Sequence, residues 1–518
     1  MNFFISNHKK LANKFGKWFY HTDDLCKVIR HNGKISIYHG YLIDKEKTLE
    51  DLIVSERLEH NLNGNFFVVT LSENGLQVFV DYFAQHKLLY RNDGDRFEIT
   101  NKIFLFPLSA GDIDHKKMHQ RITKSLEHNY LKILQTENPV EKYKNRRGTG
   151  QGHNFPVGLS GQNETRSDTI FNHVKILPPY HSLEFENKVI IERTVDLKEQ
   201  IHESLFGTHK DKIDQDYIYN CMLEHSEIVK RNYKNIASSV SEGIDSVLQD
   251  SFFPEVKKIT YSYDPPATTT KYKEDYLCKF NTDMVEWKHF KVSNQVAMAE
   301  QYTNDPETDY FDTLPTTWQV NKYCKDTDVV LYGQLGDSIF LHQPWYLYTH
   351  LMGTLYDNKN TSMKEKFTLY QEQVKKYADC YSARETLGGP EFHLYYSYFS
   401  VEDFKTFEKN IELVGRDWKN NFSQACVPST YTRDLIHSCD RQIVSLYADK
   451  RFFHAIHKAD TVDMLSNISD AKLQKDILKN KFHYDFITPG KDGAWFNMHE
   501  MIKPWYKNTI SHCMKDHL

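Results

Sequence analysis

The chain changes its rhythm near Tyr217, and that change constrains the fold more than any other feature. Before it, short β-rich runs are joined by turns. Lys34-Ile35-Ser36-Ile37-Tyr38 follows an Asn32-Gly33 pair, and Asn65–Leu71 runs to Asn74-Gly75 before Leu76–Asp81. Asn-Gly between two such runs is a strong hairpin signal, because both turn residues take positive φ. Residues 116–134 read as a helix. The stretch 146–166, with Gly148, Gly150, Gly152, Gly158 and Gly161, reads as a polar loop. It lacks the closing Gly-Lys-Ser/Thr of a phosphate-cradling P-loop. Strands return at 174–177, 182–185 and 190–195, and 196–215 reads as a polar linker.

After Tyr217 strands alternate with helices. The spacing predicts a helix over 217–232, a strand over Asn235–Val240, a helix from Ser246 and a strand over Lys258–Tyr263. It continues with a helix near 270–280, a strand over 284–292, a helix over 316–326 and the strand Val329–Tyr332. Such alternation predicts a parallel, doubly wound sheet. Helical periodicity dominates 343–518. At 518 residues the chain exceeds the roughly 250–300 at which one core stops growing. Two domains are expected, residues 1–200 and 210–518.

Charge narrows the function. The 65 basic and 70 acidic residues are well mixed and leave a net −5, so no basic surface for nucleic acid is implied. The eight cysteines are scattered without a CxxC pair, which favours a reducing cytosol over a disulfide framework. No apolar run approaches the ~20 residues of a membrane span. A cytoplasmic protein with neither membrane nor nucleic-acid partner is expected.

Two turns carry the chemistry. Ser241-Glu242-Gly243-Ile244-Asp245-Ser246 lies between a buried strand and a helix. A turn there aims backbone N–H groups and a helix N-terminus at the sheet's carboxyl edge, where ligands of open α/β sheets bind. Ser241 and Ser246 add hydroxyl donors, and Asp245 is placed to hold Mg²⁺. Gly333-Gln334-Leu335-Gly336-Asp337-Ser338 follows a later strand. Its glycines allow close backbone approach, and Asp337 could share a metal with Asp245. Two unrelated turns, each with an N-capping Asp, would read the same way.

Taken in order, these segments resemble the asparagine synthetase family, β-lactam synthetases included. Ser241–Ser246 resembles that family's Ser-Gly-Gly-x-Asp-Ser pyrophosphate loop, and Gly333–Ser338 its Gly-x-Gly-x-Asp-Glu loop. Asp168–Pro179 is similar to the segment leading into its Leu-Pro-Pro-Gly turn. Leu62–Phe66 and Asp81–Tyr90 resemble its amidotransferase strands, and Ser445–Arg451 its Pro-Phe-Leu-Asp segment. The resemblance spans most of residues 30–495.

It implies an α/β protein with two parts. The first is a degenerate class II glutamine amidotransferase-like domain, an Ntn-hydrolase-like α/β sandwich. The second is a PP-loop ATP-pyrophosphatase domain (adenine nucleotide α-hydrolase-like) with a helical tail. It implies ATP and Mg²⁺ as cofactors, with Asp245 and Asp337 on the metal. Ser239, Ser241, Glu242, Gly243, Asp245, Ser246, Ser262, Gly333 and Gly336 would line the nucleotide. Gln334 stands where relatives carry a Glu or Tyr that assists the amine, and Lys472, Lys475 and Lys491 are candidates for the lysine that steadies the transition state. The reaction would adenylate a small-molecule carboxylate, release pyrophosphate and join the acyl group to ammonia or an amine. A homodimer is compatible with that family.

The departures matter too. Asn2 stands where glutamine-hydrolysing relatives expose a cysteine nucleophile, and Cys26 is internal, so glutaminase activity is not expected. Glu242 replaces a glycine beside the phosphates, and Ser338 replaces a glutamate. Four readings follow: an amide-forming ligase, an intramolecular cyclase of the β-lactam synthetase type, a non-catalytic relative, and an RNA-modifying ATP pyrophosphatase. The last is disfavoured, because neither a basic tract nor a cysteine lies near the loop.

Overall fold

The computed structural model describes residues 2–59, 62–94, 96–118, 169–177, 181–186, 189–194, 212–241, 243–264, 285–291, 320–333, 335–336, 344–382, 403–416, 439, 441–457, 459 and 471–486. The expected helix over 116–134 falls beyond Met118 outside these residues, as do the glycine-rich loop and the helix near 270–280.

The N-terminal strands are β1 (Phe3–Ser6), β2 (Asn13–Phe15), β3 (Trp18–Thr22), β4 (Lys27–His31), β5 (Lys34–Leu42), β6 (Gly64–Leu71), β7 (Gly75–Val80), β8 (Leu89–Asn92), β9 (Phe97–Thr100), β10 (Val174–Ile176), β11 (His181–Glu186) and β12 (Val189–Thr194). They form two antiparallel sheets, ordered β10-β8-β9-β1-β3-β2 and β12-β11-β7-β6-β5-β4. The side-chain period of two decides which residues meet between them. Phe3 and Ile5 of β1, with Trp18, Phe97 and Ile99, pack against Ile35, Ile37, Phe67, Val69, Val78 and Phe185. Phe97 and Phe185 stack at 4.4 Å, and Trp18 meets Phe185 edge-on at 5.8 Å. Phe4, one residue out of phase, joins a separate cluster with Ile103, Phe106, Ile113 and Phe171. Phe66 and Val68 likewise turn outward, under helix α1 (Leu49–Val54), against Leu49, Leu52 and Ile53. Strand β6 is therefore buried on both faces, which explains why its sequence runs apolar without alternation.

The hairpin turn between β4 and β5 is Asn32-Gly33, with φ of 44° and 71°. Those are the positive values that its sequence requires.

The second half is a five-stranded sheet of β13 (Ile236–Ser239), β14 (Lys257–Asp264), β15 (Val285–Lys291), β16 (Val329–Tyr332) and β17 (Gln442–Val444). The order is β15-β14-β13-β16-β17, and every described pairing is parallel. The strand order thus reverses between β13 and β16. Helices α2 (Gln215–Asn232), α3 (Ile244–Ser251), α4 (Pro344–Asp357), α5 (Met363–Ser382), α6 (Phe404–Asn410), α7 (Lys450–His457) and α8 (Lys472–Phe482) accompany it. Asp214 caps α2 by accepting from the N–H groups of Asp216 and Tyr217. Ile218, Met222 and Val229 of α2, Val247 and Leu248 of α3, Leu331, Val444, Leu473 and Ile477 share one core. Beneath α3, Lys258 and Asp250 form a fully buried pair at 2.7 Å. Burial holds the Lys258 ammonium below its usual range, and Asp250 opposes that shift.

The two halves meet over apolar and polar surface alike. Tyr41, Ile43, Tyr82 and Phe83 of the sandwich enter the core of the parallel sheet. Asn63 donates to Asp449 at 2.8 Å and accepts from the N–H of Lys450 at 3.0 Å. The Gln442 amide donates to Asn65 at 2.7 Å. Tyr41 donates to His225 at 2.9 Å, while the other ring nitrogen of His225 faces the Leu446 carbonyl at 3.2 Å. Arg451 bridges Asp449 at 2.7 Å and also pairs with Glu224.

Among the described residues no helix is long and apolar enough to cross a membrane. The strand β17 was not legible against the helical periodicity of 343–518. Three residues are too few to show a period.

Candidate functional site

The site begins where β13 ends. Ser239 is buried at the strand's last position, and the chain then turns through Val240 and Ser241 into α3. Hydroxyls knit that turn together. The Ser241 N–H donates to Ser246 Oγ at 3.0 Å, and the two hydroxyls lie 2.8 Å apart. The Gly243 N–H donates to Ser241 Oγ at 3.2 Å. Gly243 is the N-cap of α3 and has no side chain with which to cap it, and Asp245 stands in the helix's first turn.

The turn after β16 packs directly on this one. A Cβ at Gly333 would lie 2.6 Å from the Ser246 amide nitrogen, and one at Gly336 would lie 2.3 Å from Asp245 Oδ1. At 333 the obstacle is backbone and no other residue fits; at 336 any side chain would displace the Asp245 carboxylate. Between them, buried Leu335 has φ of 81°, a conformation that a leucine adopts only when its surroundings impose it. The structure therefore brings Ser241, Gly243, Asp245, Ser246, Gly333 and Gly336 together. They sit at the carboxyl edge, at the point where strand order reverses, which is the binding crevice of open α/β sheets.

Two further segments close on Asp245. After β17, the Tyr447 hydroxyl donates to the Asp245 carbonyl at 2.7 Å, and the Leu446 N–H donates to Gln249 Oε1 at 2.7 Å. From α8, the Gln474 amide donates to Asp245 Oδ1. Gln474 is fully buried, and among the described residues its Oε1 has no hydrogen-bond partner. Helix α8 is flanked by left-handed residues, Ala471 (φ 51°) and His483 (φ 54°), which fix where it starts and stops.

Lys472 is more than half exposed and pairs with Asp476 one turn along α8. Lys475 is partly buried on the same helix. Ser262 lies on β14, in register with His289 of β15. Glu242, Gln334, Asp337 and Lys491 fall outside the described residues. Tyr447, Gln249 and Gln474 were not singled out from sequence. Gln474 had a signal: it shares the buried stripe of α8 with Leu473, Ile477 and Leu478, and a polar residue on such a stripe needs a partner.

In the sandwich, Cys26 is buried and its Sγ lies 3.8 Å from the Asn2 carbonyl. Burial first, and then Asp23, pushes its thiol up to about 12. It holds no thiolate at neutral pH. Asp81 accepts from the N–H groups of Phe83 (3.0 Å) and Gln85 (3.2 Å), yet burial outweighs them and pushes its carboxyl up to about 7. Burial also holds the His225 imidazole down at about 4.

No family model matches the chain, and no curated protein matches it. Among solved structures, one described as the allosteric regulatory enzyme of purine biosynthesis aligns over 56% of this chain and 74% of its own, at 9% identity and a TM-score of 0.20. Glutamine phosphoribosylpyrophosphate amidotransferase from B. subtilis, complexed with ADP and GMP, aligns over 50% of this chain and 58% of its own, at 10% identity and a TM-score of 0.18. At these scores the likeness carries no weight for fold or function.

Proposed function

We propose that the crevice between β13 and β16 binds ATP and that the chain is an AMP- and pyrophosphate-forming ligase, joining a carboxylate to ammonia or an amine. The sandwich would be an Ntn-like domain without glutaminase activity, and the parallel sheet a PP-loop-type domain. One observation carries this reading: the two glycine-bearing turns touch, with Gly336 against the Asp245 carboxylate and Gly333 against the first turn of α3. Backbone N–H groups and the Ser241 and Ser246 hydroxyls suit phosphate oxygens. An oxygen donor such as Asp245 suits a hard cation. Mg²⁺, when bound there, would neutralise charge on the transferring phosphates. The chain's own part is to position: phosphoryl chemistry asks for alignment and electrostatic stabilisation more than covalent help.

Incubation with ATP, Mg²⁺ and pools of carboxylates and amines should release pyrophosphate and AMP. Asp245→Ala should slow that release by at least ~10²-fold, the order seen when a preorganised electrostatic contact is lost. Release of ADP and phosphate instead would refute the reaction class.

A second reading, a non-catalytic relative, is favoured by Glu242 and Gln334, which stand where the family carries other residues. At ~4 Å and an effective dielectric near 20, like charges repel by about 4 kcal/mol. Calorimetry of ATP–Mg²⁺ separates the two readings. A ligase binds as it stands, and Glu242→Gly leaves its affinity within a few-fold or reduces it. A relic binds only after that substitution.

A further inference from the structure

Gln474 has two features that its packing does not explain. It is fully buried on α8, and its amide N–H reaches Asp245 Oδ1. Its Oε1 is also buried and, among the described residues, has no donor. The orientation of the amide is not arbitrary, since the opposite one would set Oε1 against the Asp245 carboxylate. Leaving a buried amide oxygen unsatisfied costs roughly 1–3 kcal/mol. A leucine or methionine would fill the apolar stripe of Leu473, Ile477 and Leu478 without that cost. The oxygen stands beside the one described carboxylate at the turn of α3, at an edge built from three converging loops.

We propose that Gln474 is the positioning residue of this site. It fixes the Asp245 carboxylate through Nε2 and offers Oε1 as the acceptor for a proton on the hydration shell of a divalent cation brought in with the nucleotide. The inference rests on the nucleotide reading above. It assigns to Gln474 the task that outer partners perform at metal sites, where a hydrogen-bonded amide or carboxylate orients the ligand and tunes its grip. It also gives the start of α8 a purpose: its register sets residue 474 against Asp245, while Lys472 pairs with Asp476.

The test is a titration of Mn²⁺ into the full-length protein, with and without ATP, read by the loss of the free-ion electron paramagnetic resonance signal. Wild type, Gln474→Met and Gln474→Glu are compared, each first checked for a cooperative melting transition and unchanged circular dichroism. Gln474→Met keeps length and burial, and Gln474→Glu keeps an acceptor but loses the donor. The expectation is a 10–100-fold weaker Mn²⁺ affinity in the presence of ATP for Gln474→Met. Gln474→Glu should differ from it, because its added charge attracts the ion while Asp245 is no longer held. Equal affinity in wild type and Gln474→Met would overturn the assignment. So would tighter binding by Gln474→Met, which would mean that the amide competes with the ion. If wild type binds neither Mn²⁺ nor ATP, the nucleotide reading itself falls, a different result from the loss of the Gln474 effect. Should Gln474→Met not fold, Gln474→Asn, which keeps the amide but withdraws it by one methylene, answers the same question.

Discussion

In the sandwich a turn is fixed by its own residues and near neighbours; at the edge of the parallel sheet a turn is fixed from far away. Asn32-Gly33 closes the β4–β5 hairpin with the φ values that these two residues tolerate, and the ties of its Asn32 amide, to the Val54 carbonyl and to Glu56, reach only 22 and 24 positions. The turn before α3 is held by Tyr447, 202 positions along the chain, and by Gln474, 229 positions along. The lesson is that the candidate site lies where local sequence has least control. The interface shares that character, since Asp449, Gln442 and His225 of the second half all hold residues of the first.

The contrast is tested most severely by Asp449→Ala. Asp449 is fully buried and receives both Asn63 and Arg451. Removing it leaves the Asn63 amide unpaired and takes one of two carboxylates from a partly buried guanidinium that keeps Glu224, a loss of about 1.5–3 kcal/mol. Urea denaturation would measure it, and a change under 1 kcal/mol would mean that the distant ties are ornamental.

Titration sharpens the comparison. His225 at the interface is held neutral, so below its ordinary 6.5 the unfolded chain takes up a proton that the fold refuses, down to about 4. Stability at this site falls as pH falls through that window. Asp81, inside the sandwich, works in the opposite sense. Its folded carboxyl keeps a proton up to about 7, which the unfolded chain releases above its ordinary value, so stability falls as pH rises. The two offset in wild type. In Asp81→Asn this opposing contribution is gone, and the loss between pH 7 and 5 should steepen by about 2 kcal/mol. Parallel curves for the two proteins would remove Asp81 from the balance.

Tyr447→Phe removes one hydroxyl from the Asp245 carbonyl. A single buried hydrogen bond is worth about 1 kcal/mol, so pyrophosphate release should drop by roughly five- to tenfold while the fold persists. A rate equal to wild type would show that β17 does not steady the turn. Gly33→Ala is the local counterpart. A Cβ there meets nothing within 4 Å, so only the positive φ is penalised, by about 1–2 kcal/mol, with no effect on nucleotide binding. Coupling between this hairpin and ATP affinity would erase the distinction between the two kinds of turn. The smallest effect is none at all. Glutamine should yield no glutamate above background, because Cys26 is buried and protonated. Glutamate formation abolished by Cys26→Ala would show that this thiol is reached after all.

This difference also explains what could be read from sequence. Asn32-Gly33, the run Gly64–Leu71 and the return at Gly75 carry their instructions locally, and the structure places strands there. The alternation after Tyr217 likewise predicts parallel strands, and β13, β14, β15 and β16 follow it. The short β17 escaped because three residues cannot display a period, and its role comes from the strand beside it. At the site, Ser241, Gly243, Asp245, Gly333 and Gly336 were legible as turn residues at a sheet edge, where the backbone needs them. Gln474 and Tyr447 were not. Their meaning depends on packing that joins α8 and the end of β17 to α3, which no window of neighbouring residues contains.

The clasp between Asn63 and Asp449 spans 386 positions, and this sets a timetable for synthesis. At about 5–20 residues per second, roughly 20–80 s separate the emergence of the two residues from the ribosome. Through that interval the nascent sandwich displays Tyr82, whose ring later packs 5.6 Å from that of His454. The first half must therefore wait with an oily face open to the cell, and chaperones that recognise such faces have their window there, before the last quarter of the chain arrives.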